Sequence, residues 1–164
     1  MTEPRWLDPL EMRIWRGFLE ASLRVDRRLD VSLKEAAGLT LEDYEVLVAL
    51  SESEGRRLRM SELSAWLLHS QSRLSHRIDR LEQRGLVRRE KCPNDGRGLL
   101  AVLTDDGFAE LAAAAPGHLG DVRAALIDLI EPAEREVVAN VLERIVAANR
   151  DPDDQTGSGQ AARS

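Results

Sequence analysis

The chain has 164 residues, 43% of them hydrophobic, which is enough for one sizeable core and too little for two. No apolar run approaches the roughly 20 residues that span a bilayer, and the opening Met1-Thr2-Glu3-Pro4-Arg5 does not read as a secretory leader, so the expected location is the cytoplasm. One cysteine, Cys92, and three histidines, His69, His76 and His118, exclude an intrachain disulfide framework and match no structural zinc spacing, so neither a metal nor another cofactor is expected.

The elements follow from periodicity and punctuation. From about Leu7 to Lys34, two apolar rows recur at helical spacing: Leu7, Ile14, Phe18, Val25, Leu29 and Leu10, Trp15, Leu19, Leu23. They predict a long helix with a wide apolar stripe, stopped by Gly38. Thr40 and Asp43 form a variant capping box for a second helix through Tyr44, Val46, Leu47 and Leu50, which Gly55 ends. Ser61 caps a short third helix from Glu62 to about Leu68, with Leu63 and Leu67 inward. Ser70 recaps the chain for a fourth helix, Gln71 to Arg84, and Gly85 terminates it. Two short helices meeting at a polar cap are a helix-turn-helix candidate.

After Gly85 the period drops to two. Leu86–Lys91 and Leu99–Leu103 predict the strands of a β-hairpin around Cys92-Pro93-Asn94-Asp95-Gly96-Arg97-Gly98. Thr104 and two aspartates restart a helix, in which Pro116-Gly117 predicts a kink or a short break. Val122, Leu126, Leu129 and Ile130 resume the stripe, and Pro132 is expected in the first turn of a last helix through Val137, Val141, Leu142 and Ile145. The expected organisation is a single domain over 1–149, mainly α with a small β-hairpin. It has a lobe at about 40–104, helical arms at about 7–36 and 105–149, and a disordered tail at 150–164.

The formal net charge of −6 taken alone speaks against a polyanionic partner. The distribution reverses that. Between Arg56 and Arg97, eleven Arg or Lys stand against five acids, a local +6 that leaves −12 on the remainder. A basic segment between acidic flanks suits a binding face, and it also suits an ordinary solvated surface. On a helical wheel of Gln71–Arg84, Leu74, Ile78 and Leu81 gather on one side while Ser72, His76, Asp79, Arg80 and Gln83 lie opposite. A major groove admits one such helix, whose N-terminal residues reach base edges. Ser72, Arg73, Ser75 and His76 are the candidates for bases and Arg80 for a phosphate, whereas Arg77 lies toward the buried side, placed either to snorkel or to pair with an acid. The wheel by itself equally fits a generic amphipathic surface helix. The hairpin adds Arg97, placed to enter a minor groove, with Asp95 as a bidentate partner or, alternatively, a plain turn-former.

The run Ser70-Gln71-Ser72-Arg73-Leu74-Ser75-His76-Arg77-Ile78-Asp79-Arg80-Leu81-Glu82-Gln83-Arg84-Gly85-Leu86-Val87, followed by Asp95-Gly96-Arg97 and Leu103-Thr104, resembles the reading helix, wing and exit of the MarR family (multiple antibiotic resistance regulators). The resemblance extends from about Leu10 to Asn149. It implies a winged helix-turn-helix with N- and C-terminal dimerisation helices, a homodimeric transcription regulator on a pseudo-palindromic duplex operator, and repression is expected because a dimer covering a promoter blocks polymerase. Two departures imply differently tuned DNA contacts: Gly96 stands where the family wing has a second arginine, and His76 where arginine is common.

The long apolar rows exceed what a small lobe covers, so they serve either an intermolecular interface or packing within the domain. In a dimer the two reading helices must lie about 34 Å apart, one DNA turn. The resemblance also implies a small aromatic or anionic effector between the arms and the lobe, with Trp15, Tyr44 and Trp66 as candidate lining residues or, alternatively, as core. Cys92, beside Lys91, reads as an inert thiol before it reads as a redox trigger. No phosphate loop, metal spacing or nucleophile with a base is present, which excludes the common enzyme classes. The rival function is a protein-interaction module that binds no DNA.

Overall fold

The computed structural model describes residues 4–92 and 95–150. Six α-helices and three strands follow in the order α1 (Pro9–Ala37), α2 (Leu41–Glu52), β1 (Arg57–Arg59), α3 (Met60–Trp66), α4 (Gln71–Gln83), β2 (Val87–Cys92), β3 (Asp95–Leu103), α5 (Asp105–Ala125) and α6 (Arg135–Ala148). Single 3-10 turns occupy Glu54–Arg56 and Ile127–Leu129. The tail expected to be disordered lies, from residue 151 on, outside the described residues.

Polar caps delimit the helices. Asp8 opens α1 by accepting from the amides of Leu10 and Glu11 at 2.7 and 2.8 Å, and Glu11 returns the bond to the Asp8 amide. At the other end Gly38 takes φ 62°, the left-handed turn that glycine enters without Cβ strain. Thr40 and Asp43 cap α2 reciprocally, as the sequence implies. The cap of α3 differs from expectation: the helix begins one residue before Ser61, and Glu62 accepts from the Arg59 amide at 3.1 Å. Likewise α2 ends at Glu52, three residues before Gly55.

The core lies in the lobe. Val46, Leu47 and Leu50 of α2, Leu63 of α3, Leu74, Ile78 and Leu81 of α4 and Val87 of β2 are all essentially inaccessible. Removing any one of these leucines forfeits its transfer energy and leaves a cavity, a cost of about 2–5 kcal/mol. The β-structure is larger than the expected hairpin. β3 is central in a three-stranded antiparallel sheet of order β1-β3-β2, with Leu58 opposite Ala101 and Val87 opposite Leu103. A three-residue Arg-Leu-Arg strand is too short to show a period, so only its pairing reveals it.

No break forms at Pro116, and Pro132 lies outside the last helix. α5 runs without interruption through Pro116 to Ala125, and the break falls at Leu126, where φ is −139°. Proline costs the helix one donor, but α5 is held on both sides of it. Leu111 is buried before it, and beyond it His118 lies against Tyr44 with ring centroids 4.4 Å apart while Asp121 accepts from the Ser32 hydroxyl of α1. Pro132, expected inside the last helix, instead sits in the turn ahead of Arg135.

Candidate nucleic-acid interface

The turn between α3 and α4 is short and tied. The Ser64 hydroxyl donates to the His69 carbonyl at 2.5 Å, the His69 amide donates back to the Ser64 carbonyl at 3.0 Å, and Leu68 takes φ 53° to reverse the chain. Ser70 then caps α4 by accepting from the Arg73 amide. As the wheel implies, Leu74, Ile78 and Leu81 point into the core, and Ser72, Arg73, Ser75, His76 and Arg80 are exposed together on the outer face.

What holds α4 from behind is an ionic cluster at the start of α2. The Arg77 guanidinium, buried as its wheel position implies, donates to Asp43 at 2.9 Å and to the Thr40 hydroxyl at 3.1 Å, and it also pairs with Glu42. Asp43 therefore caps α2 through one carboxylate oxygen and anchors α4 through the other. Burial, with Arg80 nearby, pushes the Arg77 guanidinium down from its usual range, and Asp30 opposes this. Arg80 reaches the same Asp43 oxygen at 3.2 Å yet keeps more than half of its side chain in solvent. Arg84 closes the far end of α4, donating to the carbonyls of Gly38 and Ala37 at 2.8 and 3.3 Å, where α1 presents its negative end.

The wing attaches through Thr104, whose hydroxyl donates to the carbonyls of Gly85 and Leu86 and accepts from the Gly107 amide. Gly107 is required there because a Cβ would stand 2.1 Å from the Leu86 carbonyl oxygen. Asp95 and Arg97, the wing residues singled out in the sequence, belong to β3, and their side chains lie outside the described residues. Among the described cations, Arg77, Arg84 and Arg89 are engaged with internal partners, whereas Arg73 and Arg80 keep most of their side-chain surface.

A sequence model of the MarR family matches residues 37–98. The MarR family transcriptional regulator Sco3205 from Streptomyces coelicolor, solved in complex with DNA, is 40% identical and superposes with a TM-score of 0.88, covering 93% of this chain and 96% of that one. The chain belongs to the MarR family. AbsC, a second MarR family regulator from Streptomyces coelicolor, is 44% identical with a TM-score of 0.84 over 88% of this chain and 97% of its own. The HTH-type transcriptional regulator PecS of Dickeya dadantii (strain 3937) is 29% identical over 131 residues, 79% of this chain and 76% of PecS. The protein is thus a DNA-binding transcription regulator with a winged helix-turn-helix fold, from a family of regulators rather than enzymes. No described helix is long and apolar enough to cross a membrane.

The three aromatic candidates do not converge in this MarR-family chain. Tyr44 is buried against His118 between α2 and α5, Trp15 is half-exposed on α1 beside Phe18, and Trp66 is half-exposed at the end of α3. Cys92 is buried at the end of β2. The ionic cluster at Asp43 and the partners of Arg89 went unread in the sequence. Asp43 showed there only as a cap, and side chains 34 positions apart leave no periodic signal.

Proposed function

We propose that the protein is a homodimeric repressor that reads a pseudo-palindromic operator and is released by a small aromatic or anionic effector. The observation that carries the DNA-reading part is the contrast between the two faces of α4. One is locked into the core and onto Asp43, and the other offers Ser72, Arg73, Ser75 and His76 to bases and Arg80 to phosphate. Arg97 and Asp95 complete the interface at the wing. The domain reading stays as above, with a lobe over about 40–104 between dimerisation arms.

The arms support the dimer. Ile14 is 64% exposed, Leu23 71% and Val137 63%, so α1 and α6 carry apolar rows that a single copy leaves in water. A dimer seated across a promoter blocks polymerase, which favours repression. For the effector, the support is the buried junction of α1, α2 and α5 around Tyr44. Trp15 and Trp66, half-exposed on α1 and α3, are the further candidates for its lining. The proposed working location is the cytoplasm, where a regulator of this family meets duplex DNA.

Selection of random duplexes with purified protein, repeated with Arg97→Ala and over a salt series, tests this reading. The expected result is a palindromic site with half-site centres about one turn apart, lost in the variant. Failure to enrich any duplex at low salt would overturn it and turn attention to protein partners. Operator affinity unmoved by a library of phenolic and carboxylate compounds would remove the effector.

A further inference from the structure

We infer that Arg89, on wing strand β2, is a positioning residue that fixes the wing to the reading helix and offsets that helix's two carboxylates, serving DNA recognition without touching a phosphate. This rests on the reading of α4 as the groove-entering helix.

Arg89 spends its donors on one face of α4. Its guanidinium meets Asp79 at 2.7 Å, Glu82 at 2.7 Å and the Ser75 carbonyl at 3.1 Å, and its own amide donates to the second Glu82 oxygen at 3.0 Å. Positions 75, 79 and 82 are spaced by four and three, so they form one row along the helix. A planar guanidinium fork spreads its donors over such a row in a fixed geometry, whereas an ammonium offers a compact point charge. Only 20% of the side chain is exposed, so little of it is left for an outside partner.

Packing joins only the base of the wing to α4, through Val87, Ala101 and Leu103 against Leu74, Ile78 and Leu81. A cavity of about 360 Å³ separates Gly98 and Leu99 of β3 from Gln71, Leu74 and Ser75 of α4, with Arg89 on its wall. Beside that gap the wing leans on the polar brace. Arg88, on the opposite face of β2, turns to Glu90 on its own strand, and Lys91, on the same face as Arg89, has no ion pair among the described residues. Without Arg89, Asp79 and Glu82 would stand partly exposed and uncompensated on the helix that approaches DNA, where each carboxylate repels phosphate.

Three full-length variants test this: Arg89→Ala, Arg89→Lys and the double Asp79→Asn, Glu82→Gln. Two measurements are made on each: amide exchange along β2 and β3 without DNA, and affinity for a selected duplex across a salt series. Arg89→Ala should exchange faster in the wing and bind about tenfold more weakly. It should keep the wild-type slope of log K against log salt, with Arg89→Lys intermediate. The neutralised pair should loosen the wing equally but lose less affinity, because no carboxylate is left facing DNA. It also keeps the test decisive if Arg89→Ala folds poorly. Unchanged wing exchange in the variants would overturn the inference, as would a slope shallower by about 0.9, the mark of one lost phosphate contact. If wild type enriched no duplex, the regulator reading would fall by itself, and amide exchange would still decide whether the brace exists.

Discussion

The lobe between Leu41 and Leu103 buries most of its leucines, while the helices on either side display most of theirs. In α2 and α4, Leu47, Leu50, Leu74 and Leu81 are buried, whereas of the apolar rows on α1 only Leu29 and Leu33 are, and α6 buries none. The two regions have comparable apolar patterning, so what separates them is whether this chain or another covers the stripe. The lobe is complete in one copy, and under the dimer proposed above the arms become complete only in two. Loss of a lobe contact should therefore be independent of concentration, and loss of an arm contact should depend on it.

The strongest way to break the lobe is Gly107→Val, which drives a side chain into the Leu86 carbonyl and toward the Leu103 methyl at 2.8 Å. The expected cost is about 3 kcal/mol in urea unfolding, the same at any protein concentration. Arg77→Met comes next. It leaves buried Asp43 with the exposed Arg80 as its remaining cation and should cost about 3 kcal/mol, part of which a second change, Asp43→Asn, restores. In the arms, Ile14→Asp should lower association by about 2 kcal/mol in sedimentation while leaving the monomer's urea midpoint in place. An unchanged mass at low concentration would count against the dimer. Asp8→Ala removes the α1 cap and should cost about 1 kcal/mol, visible as fraying of the first turn in amide exchange.

The smallest effect is a pH dependence at the joint between the regions. Burial pushes the His118 imidazole below its ordinary 6.5, with Asp121 partly opposing. The folded chain therefore binds this proton less readily than the unfolded one. The stabilisation is full above 6.5, erodes as pH falls below it, and levels off beneath the folded value. His118→Gln should flatten that step in a series of thermal midpoints, and an unaltered profile would remove His118 as its source.

Legibility followed the range of the interaction. The caps at Thr40, Ser70 and Thr104 and the stops at Gly38 and Gly85 are local, and each was readable from a few neighbouring residues. The buried face of α4 was readable because periodicity records burial directly. β1 was not, since it exists only through its pairing with β3, and Pro116 misled because tertiary contacts outweighed a local signal. At the site, the exposed row on α4 could be read from its wheel. Its supports could not, because Arg77 meets Asp43, and Arg84 meets Ala37 and Gly38, across long stretches of chain.

Those last contacts have a mechanical consequence. Arg84 grips the final carbonyls of α1, so the end of the long arm and the end of the reading helix are latched at one point. Rotation of α1 about Gly38 therefore cannot occur without stretching or breaking these two hydrogen bonds at the last turn of α4.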